Sequence, residues 1–112
     1  MSNLKLEQLE QLVTFAECGT LLKTAEKLDV SQPTLSRSMK SLEDELGIKI
    51  FERKKNRIIL TEDGYLAVKY SKEVLNRVDN LSTKINKAIK QRERRRAYDE
   101  RMGRKSGFFM LP

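Results

Sequence analysis

The residues best equipped for chemistry lie in one short run, Ser31-Gln32-Pro33-Thr34, followed by Ser36, Arg37 and Lys40. On a helix, Gln32, Ser36 and Lys40 recur every four residues, as do Pro33 and Arg37, so they share one face. Leu35, Met39, Leu42 and Leu46 occupy the other. The polar face suits the edges of nucleic-acid bases. An Arg37 fork matches guanine O6 and N7, a Gln32 amide matches adenine, and Pro33 or Thr34 can touch a thymine methyl. Ser31 and the free N–H groups of a first helical turn can hold a phosphate. The plainer reading is a cap and a solvated surface, and for Ser31 and Ser38 both readings stay open.

A second cluster, Arg53, Lys54, Lys55 and Arg57, falls in and beside a predicted hairpin turn. A basic turn next to a base-reading helix can reach phosphates or put an arginine into a narrow minor groove. An exposed turn also tends to carry lysine for solubility alone. The neighbouring helix favours the first reading, above all for Arg53.

Other chemistries lack their parts. The chain has no His and a single Cys, Cys18. The common imidazole ligand and general base are therefore missing, as is an internal disulfide. Cys18 reads as a small core residue. No catalytic constellation, metal site or cofactor is expected. No apolar run approaches the roughly 20 residues of a membrane span, and the N-terminus lacks a signal-peptide core. A soluble, cytoplasmic, nucleoid-associated protein is expected. The net charge of +7 says little about the folded part. Residues 90–105 hold eight basic and three acidic residues and so carry most of it.

The elements that must position these residues can be read from periodicity and caps. Leu6, Leu9, Leu12, Val13 and Ala16 mark the inner face of a first helix ended by Cys18-Gly19. Thr20 caps a second over 21–28, with Leu22, Ala25 and Leu28 inward. Asp29-Val30 forms a tight connection. Ser31 caps the third helix, Pro33 sits in its first turn, and Gly47 stops it. Ile48–Arg53 and Arg57–Leu60 read as strands around Lys54-Lys55-Asn56. Thr61 caps a last helix that begins with Glu62 and Asp63. Two short helices joined by a tight turn make a helix-turn-helix, whose second helix enters the major groove.

Over residues 6–66 the chain resembles the N-terminal DNA-binding domain of LysR-type transcriptional regulators. The matching pieces are Leu12-x-x-Phe15, Gly19-Thr20, Ala25-Glu26-Lys27-Leu28 and Ser31-Gln32-Pro33-Thr34-Leu35-Ser36-Arg37. Leu42-Glu43, Leu46-Gly47, Phe51-Glu52-Arg53 and Leu60-Thr61-x-x-Gly64 continue the pattern without a gap. The resemblance implies a mainly α winged helix-turn-helix, three helices and a β-hairpin wing, followed by a long dimerisation helix. It implies bacterial regulators that bind interrupted palindromes in double-stranded DNA as dimers of dimers. Gln32, Pro33, Thr34, Ser36, Arg37 and Arg53 match the family's usual DNA contacts. Thr24 departs from the usual alanine, and a hydrogen bond back to its own helix should let the fold tolerate it.

In the last helix Ala67, Ser71, Val74, Val78, Leu81, Ile85 and Ala88 recur in alternating steps of four and three. This is a heptad seam, and its distal half needs a partner. A second copy is the simplest one; the resemblance implies an antiparallel pair. The expected division is a DNA-binding domain over 1–61, a dimerisation helix over 62–90 and a basic tail over 91–112, frayed or disordered. That tail either adds non-specific DNA affinity or is simply a solvated helix end.

The family's large effector-binding domain has no counterpart here, so no small-molecule response is expected, and one dimer per half-operator. An excised fragment, a natural short protein and a gene cut by a frameshift all fit, with a short or disrupted reading frame favoured. Two functions compete: operator binding as a homodimer, and a dominant-negative partner that captures a full-length relative through the heptad helix.

Overall fold

The structure, a computed structural model, describes residues 3–101, with side chains through Ala97. The elements follow the order α1 (Leu6–Cys18), α2 (Leu21–Leu28), α3 (Gln32–Leu46), β1 (Phe51–Lys54), β2 (Arg57–Leu60) and α4 (Glu62–Arg101). The chain is mainly helical, a winged helix-turn-helix followed by a long helix. Packing divides it into two units, Met1–Asn76 and Arg77–Pro112.

The first unit closes around Leu9, Leu12 and Phe15 of α1, Ala25 of α2, Leu35, Met39 and Leu42 of α3, then Ile50, Leu60 and Val68. Fully burying one such leucine or isoleucine contributes roughly 1.5–3 kcal/mol, and this cluster is the main source of the unit's stability. Phe15 also meets Phe51 edge-to-face, centroids 5.1 Å apart, which ties α1 to the first strand of the wing.

The caps behave as expected. Gly19 and Gly47 end α1 and α3 with left-handed backbone at φ 88° and 68°. Thr20 Oγ1 accepts from Lys23 N at 3.1 Å and Ser31 Oγ accepts from Thr34 N at 3.2 Å. Thr24, fully buried, donates to Thr20 O at 2.7 Å, the back-bond that lets the fold hold a hydroxyl there.

The inner faces differ from the periodic reading in three helices. In α1, Leu6 and Ala16 are exposed and Val13 half-buried, whereas Gln8 and Gln11 are buried. In α2, Leu22 is exposed and Leu28 only half-buried; Thr24 and Ala25 face the core. In α3, Leu46 is exposed. The reason is common to all three: short helices packed at their centres bury one turn's width, and terminal apolar residues fall off its edge.

The hairpin starts later than expected. Ile48 N is taken by Glu43 O, and Ile50 N by the Glu43 side chain, so neither can enter a strand ladder. The ladder runs from Phe51↔Leu60 to Lys54↔Arg57, and the turn shrinks to Lys55-Asn56. Lys54 is therefore a strand residue. Both turn residues have positive φ, 51° and 61°, as the two-residue turn that matches strand twist requires.

α4 begins at a Thr61 cap, with Gly64 N donating to Thr61 Oγ1 at 2.9 Å. A Cβ on Gly64 would lie 2.2 Å from Ile50 O, so only glycine lets α4 pass this close to the wing's root. Val68 joins the core, Ala67 and Leu75 pack against it, and Ser71 is 5% exposed. The expected boundary at residue 61 thus cuts through packing that extends along the first turns of α4. The helix also continues to Arg101, past the expected end at 90. Residues 102–112, the rest of the predicted basic tail, lie outside the described residues.

Candidate nucleic-acid interface

The predicted contact residues of α3 come out as a single exposed surface. Gln32, Pro33, Thr34, Ser36, Arg37 and Lys40 are all exposed, as is Ser31, while Leu35 and Met39 between them and Leu42 beyond are buried. Ser31 is committed to the helix start, where its Oγ also donates to Thr34 Oγ1 at 2.8 Å. Lys40 pairs with Asp44 at 3.5 Å on the same helix, an exposed i,i+4 pair of small energetic weight. Gln32, Ser36 and Arg37 stand toward solvent from the N-terminal half of α3, where side chains reach base edges in a major groove.

Ser38 is half-buried, and its hydroxyl donates to Gln11 Oε1 of α1. Its open reading as a contact residue closes: it faces the domain. Gln8 works beside it. Its Oε1 accepts from Lys5 N at 2.9 Å and its Nε2 donates to Ser38 O at 3.3 Å. Two amides of α1 therefore grip one turn of α3 from behind, directly after Arg37. Hydrogen bonds set a helix's rotation more sharply than apolar contact, because their donors and acceptors must align.

The wing has its own anchor. Glu43, on the last turns of α3, accepts from Ile50 N at 2.9 Å and Phe51 N at 3.1 Å through one carboxylate oxygen. Thr61 N donates to Ile50 O at 2.9 Å from the other side. The base of the hairpin is thereby bonded both to the recognition helix and to the start of α4. Beyond that base Arg53, Lys54, Lys55 and Arg57 are all exposed. Lys55 holds a left-handed backbone in which asparagine or glycine is better accommodated, so the tip keeps a cation at a conformational cost.

Glu43, Gln8 and Gln11 were not singled out by sequence reasoning as positioning residues. Glu43 stood only as part of the Leu42-Glu43 pair. The available signal was spacing: Gln8 and Gln11 share a helix face with Leu12 and Phe15.

The expected dimerisation residues fall into two groups. Ala67 and Ser71 are packed within their own unit, and Ser71 leaves the seam. Val74 is exposed, with Leu66 and Tyr70 on neighbouring turns of the same unit. In the second unit Val78, Leu81, Ile85 and Ala88 are exposed, as is Ile89 at 36%. Among the described residues no group of three or more His, Cys, Asp or Glu could hold a metal ion, and no helix is long and apolar enough to cross a membrane.

Comparison with known proteins places this geometry in context. The family described as bacterial regulatory helix-turn-helix protein, lysR family, matches residues 6–65. The HTH-type transcriptional regulator BsdA of Bacillus subtilis (strain 168) is 41% identical over 76 residues, covering 67% of this chain and 26% of that protein. The chain spans about a quarter of the length of the curated relatives it matches. Among solved structures, the BenM DBD in complex with benA site 1 DNA matches with a TM-score of 0.70 at 32% identity, covering 76% of this chain and 99% of that one. The CbnR DBD–DNA complex matches at 0.72 and 29% identity, covering 77% and 99%.

Proposed function

Because the chain belongs to the lysR family of bacterial regulatory helix-turn-helix proteins and carries that family's DNA-binding domain, we propose that it reads double-stranded DNA sequence-specifically as a homodimer on the bacterial nucleoid. The observation that carries the reading is the exposed Gln32–Ser36–Arg37 face, backed by buried amides and flanked by the cationic wing. Gln32 and Arg37 specify bases; Ser31 and Lys40 hold phosphates; Pro33 and Thr34 contact thymine methyls. Arg53, Lys54, Lys55 and Arg57 engage the backbone or the minor groove beside it. The solved BenM and CbnR domains of the same fold are DNA complexes, which supports this assignment.

Pairing through α4 presents two reading heads to two half-sites, so the expected site is an interrupted palindrome. Support comes from Val74 in the first unit and from Val78, Leu81 and Ile85 in the second, all exposed apolar residues at helical spacing. A relative with a matching helix would fit the same residues. Heterodimers recovered on co-expression would show that second, dominant-negative use.

The test is Arg37→Ala. On the preferred duplex it should cost about 1–3 kcal/mol and remove the preference at one base pair of each half-site. An equal loss on random duplex at the same salt would reduce Arg37 to a phosphate contact.

A further inference from the structure

The second unit carries a charge pattern that the DNA-reading face does not use. Between residues 84 and 96, α4 holds Lys84, Lys87, Lys90, Arg92, Arg94, Arg95 and Arg96 against the single acid Glu93. All are exposed. The ion pairs among the described residues, Lys27–Glu17 and Lys40–Asp44, involve none of them. The helix pays for this arrangement, since Lys90 and Arg94, Arg92 and Arg96 are like charges one turn apart, each pair destabilising by a few tenths of a kcal/mol.

The apolar spacing also stops here. Leu81, Ile85 and Ile89 are followed in the same register by Arg92 and Arg96. Arg92 and Arg96 put charge where the seam needs apolar side chains, so the segment beyond Ile89 is unsuited to it. Basic residues cover most of the circumference, and Arg92 and Arg96 take the side that Ile85 and Ile89 hold two turns earlier. That is the signature of a polyanion-binding rod, not of an amphipathic helix lying on a bilayer, which needs one face left apolar.

We propose that residues 84–96 form a second, sequence-independent nucleic-acid contact, in which Lys87, Lys90, Arg92 and Arg94 bind the phosphate backbone of duplex DNA outside the bases read by α3. The proposal rests on the DNA-binding function above, because a tethered duplex is what raises the local concentration of phosphate around this helix. Lys87, Lys90, Arg92 and Arg94 are the informative four. Arg95 and Arg96 have Asp99 and Glu100 four residues on, the spacing of helical ion pairs.

The experiment compares the full chain with the variant K87Q/K90Q/R92Q/R94Q by salt titration on a random-sequence duplex and on a preferred duplex. Each lost phosphate contact lowers the slope of log K against log salt by about 0.9, so the slope should fall by about 2–4 on both duplexes, with the ratio between them unchanged. Circular dichroism and sedimentation should show the same helix content and oligomeric state. An unchanged slope with intact specific binding overturns this proposal alone. So does a loss confined to self-association, to single-stranded RNA or to phosphatidylglycerol vesicles. A parent chain that binds neither duplex overturns the DNA-binding reading with it.

Discussion

Lys55 and Asn56 occupy the tip of the hairpin with φ of 51° and 61°. Asparagine suits the first of these positions, whereas lysine is held there at roughly 1 kcal/mol of backbone cost. Lys55→Asn should therefore raise stability in urea by about 0.5–1 kcal/mol. The same change should lower the salt slope of DNA binding by about one, because a phosphate-directed cation is gone. Stabilisation with an unchanged slope would leave the lysine without a DNA role. At Gly64 the constraint is steric instead: a Cβ would sit 2.2 Å from Ile50 O, well inside contact distance. Gly64→Ala should destabilise the first unit by about 1–3 kcal/mol, visible as a lower urea midpoint at unchanged slope. Individual residues were legible in the sequence where type and position agree, as with the Ser31 cap or the Thr24 back-bond. Gln8 and Gln11 were not, because a glutamine reads as surface until a specific donor or acceptor, here Ser38, is found opposite it.

Glu43 shows how one helix fixes the placement of another element. Its carboxylate serves the N–H groups of both Ile50 and Phe51, at the root of the wing. Glu43→Ala leaves two part-buried donors without that acceptor and should cost about 1–3 kcal/mol of stability. Its effect on DNA should run through the wing. In a double-mutant cycle with Arg53→Ala, the two losses of affinity should be non-additive; additive losses would separate Glu43 from wing placement. The Ile48 and Ile50 N–H groups turn to Glu43, and the ladder begins only at Phe51 rather than at Ile48. Sequence pattern found the hairpin from its β-branched residues but could not see a side chain competing for its backbone. The helices were legible from caps and periodicity. Their exact inner faces were not, because the periodic signal treats Leu6, Leu22 and Leu46 like any other leucine, whereas packing near helix ends leaves them exposed.

Over the molecule as a whole, the apolar residues of α4 differ in how they are covered. Heptad spacing alone grouped Ala67 and Ser71 with Val78 and Leu81, because small residues suit a close helix–domain contact as well as a helix pair. Burial separates them: Ser71 is 5% exposed and Leu81 58%. If the chain pairs through α4 as proposed, Leu81→Asp with Ile85→Asp should leave it monomeric by sedimentation where the parent chain is dimeric. It should weaken binding to a two-half-site duplex by about 10²-fold or more, while a single half-site is bound nearly as before. A dimer that survives both changes would place the interface elsewhere. In the proposed function the Gln32–Arg37 face reads base sequence for two paired heads. Selection of bound duplexes from a random pool, at one stated salt concentration and with wild type and Arg37→Ala in parallel, tests it most directly. Wild type should enrich a two-fold symmetric, interrupted motif, and the variant should lose the preference at one symmetric pair of positions. An unenriched wild-type pool, or an identical motif from both proteins, would contradict the account.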